Sequence, residues 1–300
     1  MPKAKPKSVL SGLTVRDAMR RLVVHLFGDA TIAQAIREMI KFKVNAVVVA
    51  GERSEALGVV SKTNILGAYY AGLPVVSPLA DIMVAPVVFC EIEESLDSVL
   101  DKMRSHNIHR VYVSHAVGDQ AVGVVAYPDI IGLLYRFCHK CERSTIRSPN
   151  GAGQEKLADH FHVSELMTPS AHWRSDTDSL VQVMESLISK RLRTVLIRDR
   201  AEVPVGVVST TDFMIAYLHG LPHDAEVKSI MSSPVRACNH DAPLVMAIQK
   251  MIFSDVQNLY VYKNNPMNIV GILSLSEIAR VRSGSCRACL VSRIEIDGSE

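Results

Sequence analysis

Four stretches of the chain carry an apolar stripe at helical spacing. Ile32, Ala35, Ile36, Met39 and Ile40 follow i, i+3, i+4, i+7 and i+8, which marks one face of a helix that must be buried. The stripe returns as Leu96, Val99, Leu100 and Met103, then as Leu180, Val183, Met184, Leu187 and Ile188, and again as Leu244, Ala247, Ile248, Met251 and Ile252. Around the first stripe, short β-branched runs predict strands at Val23 to Leu26, Ala46 to Val49 and Leu57 to Val60, with a second helix from Lys62 to Tyr70. The pattern predicts a β-α-β-β-α unit used four times. A unit this small cannot cover both faces of its sheet, so two must pack face to face.

Each unit closes on the same strand-to-helix corner. The corners read Gly58-Val-Val-Ser-Lys-Thr-Asn64, Gly123-Val-Val-Ala-Tyr-Pro-Asp129, Gly206-Val-Val-Ser-Thr-Thr-Asp212 and Gly271-Ile-Leu-Ser-Leu-Ser-Glu277. At such a junction the first helical N–H groups are unpaired, and the local dipole favours an anion or a polar oxygen. Ser-x-x-Asp or Ser-x-x-Glu there is also a capping box, worth on the order of 1 kcal/mol with no ligand at all. For the Ser274 and Glu277 corner the cap is the preferred reading.

The repeat has a second level. Met19 and Met167, Gly58 and Gly206, Gly72 and Gly220, Gly123 and Gly271, and Cys141 and Cys289 are all 148 positions apart, so the chain is a duplicated half. Gly72-Leu73-Pro74 and Gly220-Leu221-Pro222 supply helix stops in equivalent places. Leu79 to Met83 and Val227 to Met231 then open units two and four. Between the halves, Ser144 to Glu155 is rich in Ser, Pro, Asn and Gly and carries no period, so the domain boundary falls there.

The plan, the lead-in methionines (Ala18-Met19, Ile82-Met83, Leu166-Met167, Ile230-Met231) and the Gly-apolar-apolar-Ser/Thr-x-x-Asp corner resemble the CBS domain, whose tandem pair is called a Bateman module. The resemblance covers residues 12 to 282. It implies an α+β fold of four β-α-β-β-α CBS units, paired into two Bateman modules and related by internal duplication. The organisation expected is a basic tail (1–11), a first pair (12–141, units at 15–74 and 79–138), a linker (142–160), a second pair (161–282, units at 163–222 and 227–282) and a tail with Cys-x-x-Cys (283–300). Tandem modules of this kind join into four-unit discs, by dimerisation or within one chain.

The resemblance also implies a function. Clefts between CBS units take up adenosine-containing ligands such as AMP, ADP, ATP or S-adenosylmethionine, with the corner aspartate on the ribose hydroxyls, the Ser/Thr near phosphate and a basic side chain assisting. Carried onto this chain, the corner is complete in unit three, with Ser209, Thr211 and Asp212 beside Arg191 and Arg193. Unit two keeps Asp129, with His109 and Arg110 as basic candidates, but has Ala126 in place of the hydroxyl. Unit one has Ser61 and Thr63 with the uncharged Asn64, and unit four has the longer Glu277. The corners rank three, two, one, four. The function expected is a non-catalytic sensor that transmits ligand binding as a change in module arrangement, acting as a homodimer or on a partner protein.

The cysteines add an alternative. Cys138-His-Lys-Cys141 and Cys286-Arg-Ala-Cys289 are spaced as metal knuckles, and two knuckles together make a four-sulfur set suited to zinc or an iron–sulfur cluster. Half-buried thiols are the preferred account of these pairs, metal binding comes next, and redox-active dithiols come last. The runner-up function is therefore a metal-stabilised or thiol-switched interaction scaffold with empty clefts. Cys90 and Cys238 stand alone on first strands, where core packing accounts for them.

Bulk composition excludes little beyond this. Of the 300 residues, 48% are hydrophobic and 21% charged, as in a folded chain, and a formal charge of +2 asks for no polyanionic partner. The basic start Met1-Pro-Lys-Ala-Lys-Pro-Lys7 is too short to claim nucleic acid, no apolar run reaches the 18 or so residues of a membrane span, and the expected location is cytoplasmic. No nucleophile-base set and no phosphate loop of the Gly-x-x-x-x-Gly-Lys type is present, so enzyme activity is the class least expected.

Overall fold

The computed structural model describes residues 10, 12–115, 120–140 and 161–280. Each unit is a three-stranded sheet with two helices. Unit one contains β1 (His25–Phe27), α2 (Ile32–Lys41), β2 (Ala46–Ala50), β3 (Ala56–Ser61) and α3 (Lys62–Tyr70); β1 runs parallel to β2, and β3 antiparallel to it. Unit two repeats this with β4 (Phe89–Glu91), α4 (Leu96–Ser105), β5 (Arg110–Ser114), β6 (Gly123–Ala126) and α5 (Tyr127–Lys140). Unit three uses β8 (Trp173–Ser175), α7 (Leu180–Ser189), β9 (Thr194–Arg198), β10 (Pro204–Ser209) and α8 (Thr210–Leu218). Unit four uses β11 (Ala237–Asn239), α9 (Leu244–Phe253), β12 (Asn258–Tyr262), β13 (Ile269–Ser274) and α10 (Leu275–Arg280).

The first strand of unit one pairs over three residues only, so it is shorter and begins later than the apolar run at Val23 suggests. The helical stripes are buried as their spacing requires, except at the last position. Ile40, Ile188 and Ile252 are 41%, 36% and 36% exposed, and each lies next to last in its helix, with Ile40 and Ile188 lining a cavity. The turn that follows holds Lys43, Asn107, Arg191 and Asp255 at positive φ, the same left-handed residue in all four units.

The lead-in segments form a second layer of order. α1 (Val15–Ala18) and Arg20 lie on unit two, where Arg20 bridges Val124, while α6 (Val163–Leu166) and β7 (Thr168–Pro169) lie on unit four, where β7 pairs with β13. Val84 bridges Val59 of unit one, and Ser232 bridges Val207 of unit three. Sequence order suggests that each lead-in opens the unit it precedes. In the structure the segments before units one and three cross onto units two and four, and those before units two and four reach back onto one and three. The corner glycines explain why. A Cβ on Gly58, Gly123, Gly206 or Gly271 would lie 2.9, 3.0, 2.8 or 3.0 Å from the side chain of Met83, Met19, Met231 or Met167 respectively. The repeated Gly and the repeated Met are thus two halves of one contact.

Four apolar cores close the molecule into a ring. Sheets face each other within each half, around Val48, Tyr112 and Val124 in the first and around Leu196, Tyr260 and Ile269 in the second. Helices join the halves. One core merges α2, α3, α7 and α8 of units one and three; the other merges α1, α4, α5, α9 and α10 of units two and four. In the seam between units one and three, Tyr69 and Tyr217 stack with centroids 4.7 Å apart, and each hydroxyl donates across the seam at 2.6 Å, Tyr69 to the Leu221 carbonyl and Tyr217 to that of Leu73. These pairs are related by the 148-residue offset, so the duplication is expressed as a pseudo-twofold axis. Cys90 and Cys238 are buried in the second helical core, and burial pushes their thiols up to about 12 and about 11.

Candidate functional site: a cavity shared by four units

The strand-to-helix corners converge on a cavity of about 1420 Å³ at the centre of the ring. Single-ligand pockets span roughly 300–1,000 Å³, so this space exceeds the needs of one small molecule. Ser61, Thr63, Asn64, His109, Arg110, Arg191, Arg193, Ser209, Thr211 and Asp212 all line it. Of the ligand candidates singled out in the sequence, Asp129 alone does not.

Each corner is built by a local rule. Ser209 is the N-cap of α8, and its amide and hydroxyl both donate to Asp212 Oδ2, at 2.7 and 2.6 Å. Its own Oγ accepts the Thr211 N–H at 3.2 Å. The capping box is therefore formed, and it commits one carboxylate oxygen of Asp212. The other, Oδ1, accepts, among the described residues, a single 3.2 Å bond from the Ser232 hydroxyl. In unit one, Asn64 Oδ1 accepts from the Ser61 N–H at 2.9 Å and the hydroxyl at 2.5 Å. In unit four, Glu277 Oε2 accepts both Ser274 donors at 2.8 Å, and its longer stem still completes the cap. In unit two, Asp129 Oδ2 accepts from the Ala126 N–H at 2.8 Å, while its Oδ1 lies 2.6 Å from Arg20 Nε. Burial raises the Asp129 carboxyl above the usual carboxylate range, although Arg20 opposes the shift.

Three cations face one another across the cavity. Lys62, at the first position of α3, donates to Thr211 Oγ1 at 2.8 Å and so links unit one to unit three. Burial, then the charges of Arg110 and Arg193, push its ammonium down to about 8. Arg193 bonds Gln257 at 2.5 Å, and burial followed by Arg110 lowers its guanidinium to about 10; burial also lowers Arg110. None of the three belongs to an ion pair among the described residues. Like charges brought together in a partly dry cavity destabilise one another unless an anion joins them.

Sequence reasoning missed two of these residues. Lys62 was detectable, because a lysine in the first turn opposes the positive end of the helix dipole. Arg20 was not, because its partner is over a hundred residues away. The cysteine knuckles fall mainly outside the described residues: Cys138 is in the last turns of α5, while Cys141, Cys286 and Cys289 are not described. Among the described residues no group of three or more His, Cys, Asp or Glu side chains is placed to hold a metal. No helix among them is long and apolar enough to cross a membrane.

A family model described as CBS domain matches residues 15–71, 79–136 and 227–284, together more than half of the chain, which correspond to units one, two and four. Among solved structures, a protein of Methanocaldococcus jannaschii described as a candidate archaeal homolog of g-AMPK aligns with a TM-score of 0.72 and 15% identity, over 88% of this chain and 98% of its own. An uncharacterized conserved protein from Pyrococcus horikoshii aligns at 0.58 and 16% identity, over 89% and 99%. A CBS domain protein from Pyrobaculum aerophilum, complexed with AMP, is 28% identical over 39% of this chain and 89% of its own, with a TM-score of 0.37. At their identities the first two show a shared fold. No curated protein matches this chain.

Proposed function

Because this chain belongs to the CBS-domain family, we propose that it is a non-catalytic sensor whose central cavity takes up an adenosine ligand bearing phosphate, such as AMP, ADP or ATP. Units one to four are then all CBS units, and each half is a Bateman module. The observation that carries this reading is the meeting of opposites in the cavity: the Asp212 carboxylate, with one lightly used oxygen, shares it with three cations that form no ion pair among the described residues. A ribose diol donates to Asp212 Oδ1, and the phosphates turn toward Lys62, Arg193 and Arg110, where charge-assisted bonds are strong. The sulfonium of S-adenosylmethionine would meet the same cations and be repelled.

Binding becomes a signal because the ligand competes with a bond between the halves. A phosphate that engages Lys62 draws its ammonium from Thr211, the contact that ties unit one to unit three. A ligand shifts such an equilibrium only by its difference in affinity for the two arrangements, typically about 1–3 kcal/mol. A partner protein that reads module arrangement would supply the output.

Titration calorimetry with AMP, ADP, ATP and S-adenosylmethionine tests this directly. Dissociation constants well below about 1 mM are expected for the phosphate ligands. Asp212→Ala should weaken them by at least about tenfold, the loss of one charge-assisted bond. Failure of all three nucleotides to bind, or equal affinity for S-adenosylmethionine, would overturn the reading.

A further inference from the structure

The residue after each lead-in methionine sits at one equivalent place in all four units, and its chemistry differs at each. These residues are Arg20, Val84, Thr168 and Ser232, and each pairs by backbone with the residue that follows a corner glycine. At corners two, three and four the side chain then reaches the corner's acid. In every corner one oxygen of that acid or amide is spent on capping the helix. Only the second polar atom is available to a ligand, and at corners two, three and four the lead-in residue meets it.

At corner two, Arg20 places a guanidinium on Asp129 Oδ1 at 2.6 Å, with the Asp129 side chain only 10% exposed. At corner four, the Thr168 hydroxyl donates to Glu277 Oε1. At corner three, Ser232 makes the 3.2 Å bond to Asp212 Oδ1. At corner one, Val84 offers Asn64 no polar atom. The grading is a full counter-charge at corner two, a neutral hydroxyl at corners three and four, and no polar atom at corner one.

We propose that the side chain after the lead-in methionine decides which corner admits a ligand's hydroxyl pair, and that Arg20 closes corner two while Ser232 leaves corner three open. This rests on the reading that Asp212 takes a ribose diol. A diol can displace a neutral hydroxyl, because one hydrogen bond replaces another at little net cost. It cannot displace Arg20, because a buried carboxylate would give up a charged partner for a neutral one. Arg20 is thus an internal stand-in for ligand. Its side chain is 46% exposed, so removing it opens the corner to solvent without leaving a sealed cavity.

Titration of the full chain with AMP supplies the test, read as stoichiometry. Arg20→Ser should add one equivalent to the wild-type value, and the added equivalent should disappear in Arg20→Ser with Asp129→Ala. Arg20→Lys should leave the count unchanged, since the counter-charge remains. Ser232→Arg should remove binding at corner three, lowering the count by one equivalent. If Arg20→Ser adds nothing while Ser232→Arg binds as the wild type does, the lead-in residue is no gate and the inference is wrong. Absence of AMP binding in the wild type would instead strike the ribose reading itself. Melting curves of each variant separate lost binding from lost folding.

Discussion

Where unit one meets unit three, two stacked tyrosines exchange hydrogen bonds across a pseudo-twofold axis; where unit two meets unit four, the equivalent place in α5 is Leu134 and the contact there is apolar. The core behind the second seam also takes in Leu10, Leu13 and α1, which pack on unit two of their own half, and Val163 of α6, which packs on unit four of its own. Apolar burial is strong but tolerant of sliding, whereas a pair of directional bonds fixes register. The seam between units two and four is therefore held by apolar packing, whereas the tyrosine seam, which has an apolar core of its own, also supplies alignment. Lys62 and Thr211 lie on the tyrosine side. Alignment is thus the property a cavity ligand can reach.

The largest effect should come from the apolar seam between units two and four. Ile130 of α5 is fully buried there, and Ile130→Ala should cost about 2–5 kcal/mol in chemical denaturation, the range for deleting a core aliphatic side chain. A much smaller cost would mean that the seam between units two and four collapses around the missing side chain.

Next comes the aligning seam. Burial keeps both tyrosine hydroxyls protonated, with their pKa values raised, so they remain donors across the ordinary pH range. Tyr69→Phe and Tyr217→Phe should each cost about 1 kcal/mol. A double-mutant cycle should show coupling, because the two bonds share one interface geometry. Strict additivity would show that the bonds are independent and do not act as one alignment device.

The smallest effect concerns charge. Burial pushes the Lys62 ammonium down to about 8 in the fold from its ordinary value of 10.5, so the unfolded chain holds its proton to higher pH than the native one. The unfolded state then binds more protons across that interval, and native stability should rise from about pH 8 to 10.5 relative to a Lys62→Met variant. Nucleotide affinity should move the other way, falling as pH passes about 8 and Lys62 loses its charge. A flat difference between the two proteins would remove Lys62 from the account of the cavity.

Much of this architecture was legible in the sequence because it is local. The stripes of α2, α4, α7 and α9 and the corner caps follow from spacing within about ten residues, and the helix from Lys62 to Tyr70 begins and ends where its pattern does. What was not legible depends on distance. Nothing near Met83 announces that it will rest on Gly58, and nothing near Arg20 announces Asp129, because both contacts appear only after two sheets have faced each other. Ile40 and Ile188 show the same limit. Their periodicity places them on a buried face, yet that face ends at the cavity, which only the closed ring defines.

The crossing of the lead-in segments has a consequence for how such a chain can be taken apart or recombined. A single repeat excised at its apparent borders would carry off a segment belonging to its sibling and leave its own glycine ledge bare. The smallest interchangeable part is therefore the half, in which both exchanges are complete.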